Sequence, residues 1–499
     1  MIVSLPIFLP LSFMIFAFLF RHYRGREYIA VAAAFLNVIT SILLFSQTAR
    51  EGMLKLQMGD WPAPYGITLV SDRFSAFMVL IASLIFLATT AYSVRSVDWN
   101  RKSFGYYLFS FGVLMGVNGS FLAGDIFNLY VWFEVMLMAS FILMSHGGER
   151  QQLEGSIKYL ILNLISSFFF VAGIGLLYGK IGSLNMADIA SKLMKYETMP
   201  PEINPAFILI FVGFAIKGAL VPFFFWLPAS YHTPPPVVTA LFSGLLTKVG
   251  IYSLIRFYSL FLYQHHEFWQ PLILGVAVLS MVIGVITATS QFEFRKILSF
   301  HIISQVGYVV MGLGLYTIAG LAGAIYFLAH NMLSKTNAFL VAGYVYHQKG
   351  TLNLKILGGF YKKHPLWAIF FFISAFSLAG LPPLSGFVGK FLLIKAGIEA
   401  DHLGIALIAL FVGFFTLFSM VKIWIEVFWK PEDNMKKLKR IPQQNWSIQQ
   451  NPLWMTLSSG GMALLIVLGG IFASPIVDYC YLAAESLMNP QLYVDFVLN

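Results

Sequence analysis

A single cysteine, Cys480, occurs in the 499 residues of this chain. One thiol permits no intrachain disulfide and no cysteine-based metal cage. Charge is nearly as scarce. The 32 basic and 22 acidic residues make up 11% of the chain, against about 25% in an ordinary soluble domain. So few charges cannot clothe a water-facing surface of this size. A soluble enzyme, a disordered regulator and a secreted disulfide scaffold are thereby excluded. Also missing are a Gly-rich nucleotide loop, a Walker motif and a dinucleotide fingerprint. Neither ATP nor NADH is expected to bind, and no cofactor is predicted.

What the chain has instead is apolar sequence: 58% of it is hydrophobic, and the mean hydropathy is +0.77. Stretches long enough to cross a bilayer lie near 2–20, 28–46, 72–95, 105–123, 126–145, 157–179, 205–228, 237–262, 270–290, 297–316, 318–347, 365–397, 403–429 and 452–480. One crossing needs about 20 apolar residues. The chain therefore reads as an all-α polytopic membrane protein of about fourteen transmembrane helices. Arg21, Arg24 and Arg26 follow the first stretch instead of preceding it, so that stretch reads as a retained span and not a signal peptide.

The net charge of +10 does not imply a nucleic-acid partner, because the basic residues sit between apolar stretches. Connections after odd-numbered spans hold 19 Lys and Arg, and those after even-numbered spans hold 8. The densest runs are Lys349 to Lys363 and Lys430 to Arg440. Positive charge favours the cytoplasm, so the odd connections are predicted inside and both termini outside. Residues 47–70 and 185–199 read as short amphipathic or irregular pieces of outer loops.

Five lysines remain inside spans: Lys217, Lys248, Lys335, Lys390 and Lys422. An ionised lysine at mid-bilayer costs about 2.5–3.5 kcal/mol, so five of them point to a polar, hydrated interior. Lys422 lies close enough to its span's end to snorkel. Two spans are interrupted. The seventh reads FVGFAIKGALVPFFFWLP, with Lys217 ahead of Pro222 and Pro228, and the twelfth reads FSLAGLPPLSGFVGK, with Pro382 and Pro383 ahead of Lys390. Proline removes a backbone donor and exposes polar backbone at membrane depth. A broken helix with a nearby lysine, twice and five spans apart, suggests two inverted five-helix repeats with ion sites at the breaks. Prolines that merely kink crowded helices are the alternative.

Glu134 is the one clear acid at the middle of a span, in DIFNLYVWFEVMLMASFILM. A lone carboxylate there protonates or finds a cation, and Lys217 is the cation of matching depth. A static pair that fixes helix packing is the alternative. Asp125, at the start of that span, suits a helix cap. His330 and Lys335 fall in LAHNMLSKTNAFL and are five residues apart, so they need not share a face. His301 opens the tenth span and reads equally well as a membrane-end residue. His265 and His266 lack the further ligands a metal site needs, and no metal is predicted.

DIFNLYVWFE, FAIKGALVPFFFWLPASYHTPPPVVTALFSGLLTKVGIY and LAGLPPLSGFVGKF resemble the antiporter-like proton-translocating subunits shared by respiratory complex I and the Mrp-type multisubunit cation/proton antiporters. The resemblance covers essentially the whole chain and within the family is nearest to the D-type subunits of the Mrp branch. It implies a secondary-transporter subunit, not an enzyme, in a bacterial cell membrane. Its partners would be other membrane subunits, and protons and monovalent cations such as sodium its substrates. It further implies that Glu134, Lys217, Lys248 and Lys390 carry proton translocation, with His330 and Lys335 as candidates for the eleventh-span relay. The second reading is a proton-pumping membrane-arm subunit of a complex I-like dehydrogenase or hydrogenase. The division expected is 1–104 for three N-terminal spans, 105–262 and 263–429 for the two repeats, and 430–499 for a cytoplasmic loop and last span.

Overall fold

The computed structural model describes residues 2–196, 200–263, 266–431 and 452–499. The cation run from Lys430 to Arg440 lies mostly outside the described residues, as does His265. Fourteen crossings follow one another: α1 (Leu5–Leu19), α2 (Arg26–Glu51), α3 (Arg73–Ser96), α4 (Tyr106–Leu122), α5 (Ile126–Ser145), α6 (Arg150–Ile181), α7 in two pieces (Asn204–Lys217 and Trp226–Ser230), α8 (Pro236–Phe257), α9 (His266–Ser290), α10 (Phe294–Leu315), α11 (Ile318–Lys349), α12 in two pieces (Pro365–Ala379 and Ser385–Glu399), α13 (Leu403–Ile423) and α14 (Leu453–Ile471). Two shorter helices, Ala473–Met488 and Pro490–Leu498, end the chain.

Among the described residues, ten helices are long and apolar enough to cross a membrane. The other four crossings fall short of that test for physical reasons. α4 has 17 residues, α7 and α12 are broken, and α11 is long but polar at its centre, where His330, Asn331, Ser334, Lys335, Thr336 and Asn337 are all buried. A helix of this kind survives in a bilayer only when other helices surround it. Every residue from Gly320 to Val345 is buried. Asn337 ties α11 to its neighbours, donating to Ser374 Oγ on α12 at 2.8 Å and accepting from Ser459 Oγ on α14 at 2.6 Å.

The loops sort onto two faces. Residues 47–70, expected to be a short amphipathic or irregular piece, carry β1 (Met53–Gln57) and the start of β2 (Thr68–Asp72), paired as an antiparallel hairpin. Asn185, after α6, donates to Thr68 Oγ1 at 3.1 Å, and Tyr479, past α14, donates to the Arg73 carbonyl at 3.0 Å. The even connections and both chain ends thus share one face. On the other, Arg101 after α3 donates to the His146 carbonyl after α5 at 3.1 Å, and Arg295 after α9 to the Pro234 carbonyl after α7 at 2.9 Å.

Within this frame α4–α8 and α9–α13 are built alike. α6 and α11 each run for 32 residues. Asp125 caps α5 at the Asn128 N–H (2.8 Å), and Glu293 caps α10 at the Lys296 N–H (2.6 Å). A backbone clasp recurs beside each cap. Ile126 N–H bonds to Leu184 O and Met186 N–H to Gly124 O; Phe294 N–H bonds to Leu352 O and Leu354 N–H to Phe292 O. α8 and α13 both pass into a π-helical turn, Tyr258–Leu262 and Trp424–Trp429. Because α5 starts on the even face and α10 on the odd face, the two five-helix units are inverted relative to each other.

Candidate functional site

α7 stops at Lys217 because the next residues cannot continue it. Ala219 has φ 56°, in the left-handed region, and Pro222 offers no N–H. The freed backbone groups are met from outside the helix: Trp226 Nε1 donates to Ile216 O at 2.9 Å, and Val221 N–H donates to Ser280 Oγ on α9 at 3.1 Å. Pro228 lies in the second piece, where its carbonyl is 2.9 Å from His232 Nδ1. Lys217 is therefore the last residue of a half-helix, where the macrodipole favours a cation. α8 can approach this elbow because residue 250 is glycine; a Cβ there would lie 2.7 Å from Gly218 N and 3.0 Å from the Lys217 carbonyl carbon.

Glu134 is half-buried on α5, not enclosed as the sequence suggested. It reaches Lys217 through a third residue that the sequence reading missed. The Ser167 hydroxyl on α6 donates to Glu134 Oε1, and Lys217 Nζ donates to Ser167 Oγ at 3.4 Å. The ammonium also lies 5.1 Å from the centre of the Phe133 ring. A serine in an apolar helix usually bonds its own backbone, so no sequence signal marked Ser167.

Lys248 and Lys335 are both fully buried. Lys248, on α8, donates within its own helix to Ser243 O, whereas Lys335, on α11, donates across to Leu298 O on α10 at 3.2 Å. Lys217 and Lys248 belong to the first repeat, and Lys335 and Lys390 to the second.

α12 breaks at Gly380, whose φ of 91° suits glycine alone, followed by Pro382 and Pro383. With Pro222 and Pro383 superposed, Lys217 and Lys390 do not coincide: one lies five residues before its proline, the other seven after. The ammonium groups nonetheless reach the same kind of place, because Lys390 folds back to donate to Ala379 O, the end of the first piece of α12, at 3.2 Å. His330 turns away from Lys335 and toward α12, with Nδ1 2.8 Å from Ser385 Oγ and 3.2 Å from Ser334 Oγ. Gly386 makes that approach possible; a Cβ on it would lie 2.8 Å from His330 Nε2.

Other placements differ from expectation. His301 is no membrane-end residue; it is fully buried, with Nε2 2.5 Å from Ser419 Oγ on α13. Lys422 anchors the turn between α9 and α10, donating to Thr289 O at 3.0 Å and Gln291 O at 2.7 Å. Arg256, counted with the loop cations, is buried and pairs with Asp72 at 2.6 Å. Asp125 is the helix cap anticipated for it. Among the described residues no cluster of three or more His, Cys, Asp or Glu could hold a metal ion.

Residues 123–416, more than half of the chain, match the family described as NADH:quinone oxidoreductase/Mrp antiporter, transmembrane. The chain belongs to this family. Among its relatives, the D subunit of the Na(+)/H(+) antiporter of Alkalihalophilus pseudofirmus is 42% identical over 499 residues, covering 100% of this chain and 99% of that one. Its counterpart of the same name in Bacillus subtilis is 38% identical over 498 residues, with the same coverage. A solved chain of the Mrp complex from Dietzia sp. DQ12-45-1b superposes with a TM-score of 0.91 at 29% identity, covering 100% of this chain and 99% of its own length.

Proposed function

We propose that this chain is the proton-translocating, D-type subunit of a multisubunit sodium/proton antiporter in a bacterial cell membrane. The observation that carries the reading is the Glu134–Ser167–Lys217 bridge at the break of α7. From it a polar axis continues through Lys248, Lys335 and His330 to Lys390 at the break of α12. Each ammonium group has a carbonyl or hydroxyl acceptor, and Glu134 reaches Lys217 through Ser167 instead of pairing with it directly. A cation in such a setting is poised to give up its proton when the neighbouring charge changes. Protons then move along the axis while sodium crosses elsewhere in the complex, since lysines repel cations. No bond chemistry beyond proton transfer is involved, so the chain acts as a transporter subunit and not as an enzyme.

The division into 1–104, 105–262, 263–429 and 430–499 follows the same reading. So does the placement of the odd loops in the cytoplasm, with both termini outside. Other membrane subunits of the antiporter are the partners, and the chain alone in liposomes is expected to show no sodium-dependent proton flux.

The test separates a relay from a fixed ion pair. Arginine keeps the charge of Lys217 but effectively cannot release a proton. Lys217→Arg should assemble normally, as judged on native gels, and dissipate little or none of a pH gradient in everted vesicles on adding sodium. Glu134→Gln should fail likewise, and Glu134→Asp should keep part of the rate. Near-normal exchange by Lys217→Arg would sink the relay.

A further inference from the structure

The face of α10 that meets the axis carries a histidine with no role assigned so far. His301 lies one turn after Leu298, whose carbonyl holds Lys335 Nζ at 3.2 Å. Gln305 and Tyr308 continue the same face at spacings of four and three. The ring of Tyr308 lies 4.9 Å from Lys390 Nζ. One side of a single helix thus runs from one lysine to the next. His301 and Gln305 are fully buried, as is Ser304 beside them. His301 Nδ1, Ser304 Oγ and both amide atoms of Gln305 have no protein hydrogen-bond partner among the described residues. Buried polar groups of that kind are ordinarily met by ordered water.

The hydrogen bonds fix how the imidazole is used. Ser419 Oγ can give its one proton to Phe415 O or Thr416 O, each at 3.1 Å. It then accepts from His301 Nε2, so the neutral ring carries its hydrogen on Nε2 and leaves Nδ1 as a bare acceptor. The two histidines are held near different lysines. His301 is beside the carbonyl that holds Lys335, whereas His330 is bonded to Ser385 at the start of the half-helix that bears Lys390.

We propose that His301 is a proton-carrying residue of the axis, in series with His330, between Lys335 and Lys390. In the forward step an N–H bond of the Lys335 ammonium breaks as an N–H bond forms at His301 Nδ1, giving an imidazolium that Ser419 holds through Nε2. The same Nδ1 proton then passes through bridging water to His330 and on to the Lys390 amine, leaving both rings neutral. This inference rests on the functional reading above.

The test uses the assembled complex in everted vesicles, with rates expressed per assembled complex. His301→Gln keeps a donor for Ser419 but cannot carry a proton, and should lower sodium-driven exchange at least tenfold with the sodium half-saturation unchanged. Ser419→Ala removes the bond that orients the ring but leaves a group able to carry the proton, and should keep at least three times the rate of His301→Gln. If His301→Gln assembles poorly, His301→Asn is judged by the same thresholds. Exchange within threefold of normal in the histidine variant overturns the proposal. Equal losses in His301→Gln and Ser419→Ala overturn it too, because they would mark a bond that only positions the helices. The unaltered complex separates the two claims: if it shows no sodium-driven exchange, the functional reading fails and takes this inference with it.

Discussion

Replacing Ser167 with alanine removes one hydroxyl from the joint between Glu134 and Lys217 and leaves both charges in place. The hydroxyl donates to the carboxylate and accepts from the ammonium at 3.4 Å; two charges bridged through one oxygen, roughly 5 Å apart, couple by about 3 kcal/mol at an effective dielectric near 20. That direct coupling survives the substitution. What disappears is a pair of charge-assisted hydrogen bonds, each contributing about 1.5–3 kcal/mol. At 1.4 kcal/mol per tenfold, losing one of them at the step where Lys217 gives up its proton slows exchange about 10- to 100-fold. The alanine leaves only a small gap on α6, so assembly should be unaffected. Ser167→Thr keeps the hydroxyl and should retain most of the rate. The assay is sodium-driven dissipation of a pH gradient in everted vesicles, with assembly followed on native gels. A normal rate in Ser167→Ala would refute the bridge, leaving Glu134 and Lys217 coupled through space alone.

Three further outcomes follow from the same geometry. Lys390→Ala removes the ammonium that closes Ala379 O and should abolish exchange without loss of assembly; a complex that falls apart would make the lysine structural. Gly250→Ala sets a methyl group 2.7 Å from Gly218 N, and overpacking of this kind costs about 1–3 kcal/mol. It should reduce both assembly and exchange, and a fully active variant would show that α8 does not hold the elbow. At the odd face, burial favours the neutral form of Asp98, but hydrogen bonds from the Arg101 backbone and guanidinium outweigh it and hold the carboxyl below its usual range. A depressed folded pKa means that the stabilisation is complete above the ordinary value of about 4 and is lost as pH falls through the lower one. Asp98→Asn should therefore lower the thermal stability of the complex equally at pH 7 and pH 9, and a deficit that grows between those values would contradict the assignment.

Much of the architecture can be read from composition because lipid imposes a length on each apolar run. The breaks at Pro222 and Pro383 are equally legible, since proline has one meaning in a membrane helix. Lys217, Lys248, Lys335 and Lys390 identify themselves by cost: nothing apolar needs them. The joints between helices are harder to see. Ser167 and Ser419 look like ordinary helix serines until the partner helix is present. Arg256 passes for a loop cation because its partner, Asp72, is 184 residues away. The Lys390 ammonium sits back at its own helix break because a long side chain can fold past it, and sequence spacing says nothing about that.

The paired backbone clasps have a consequence for how the chain is made. The bonded residues of each are 58 and 62 apart, 126 with 184 and 124 with 186 in the first, 294 with 352 and 292 with 354 in the second, and neither clasp uses a side chain. The first can close as soon as α5 and α6 have entered the bilayer, before any of the second repeat has been synthesised. The second needs only α10 and α11. Each half of the transporter is thus latched by its own stretch of nascent chain, without waiting for the other half or for another subunit. Since the latch is peptide to peptide, ordinary substitutions at Ile126, Met186, Phe294 or Leu354 leave it closed, and proline, which takes away the donor, is the one residue that opens it.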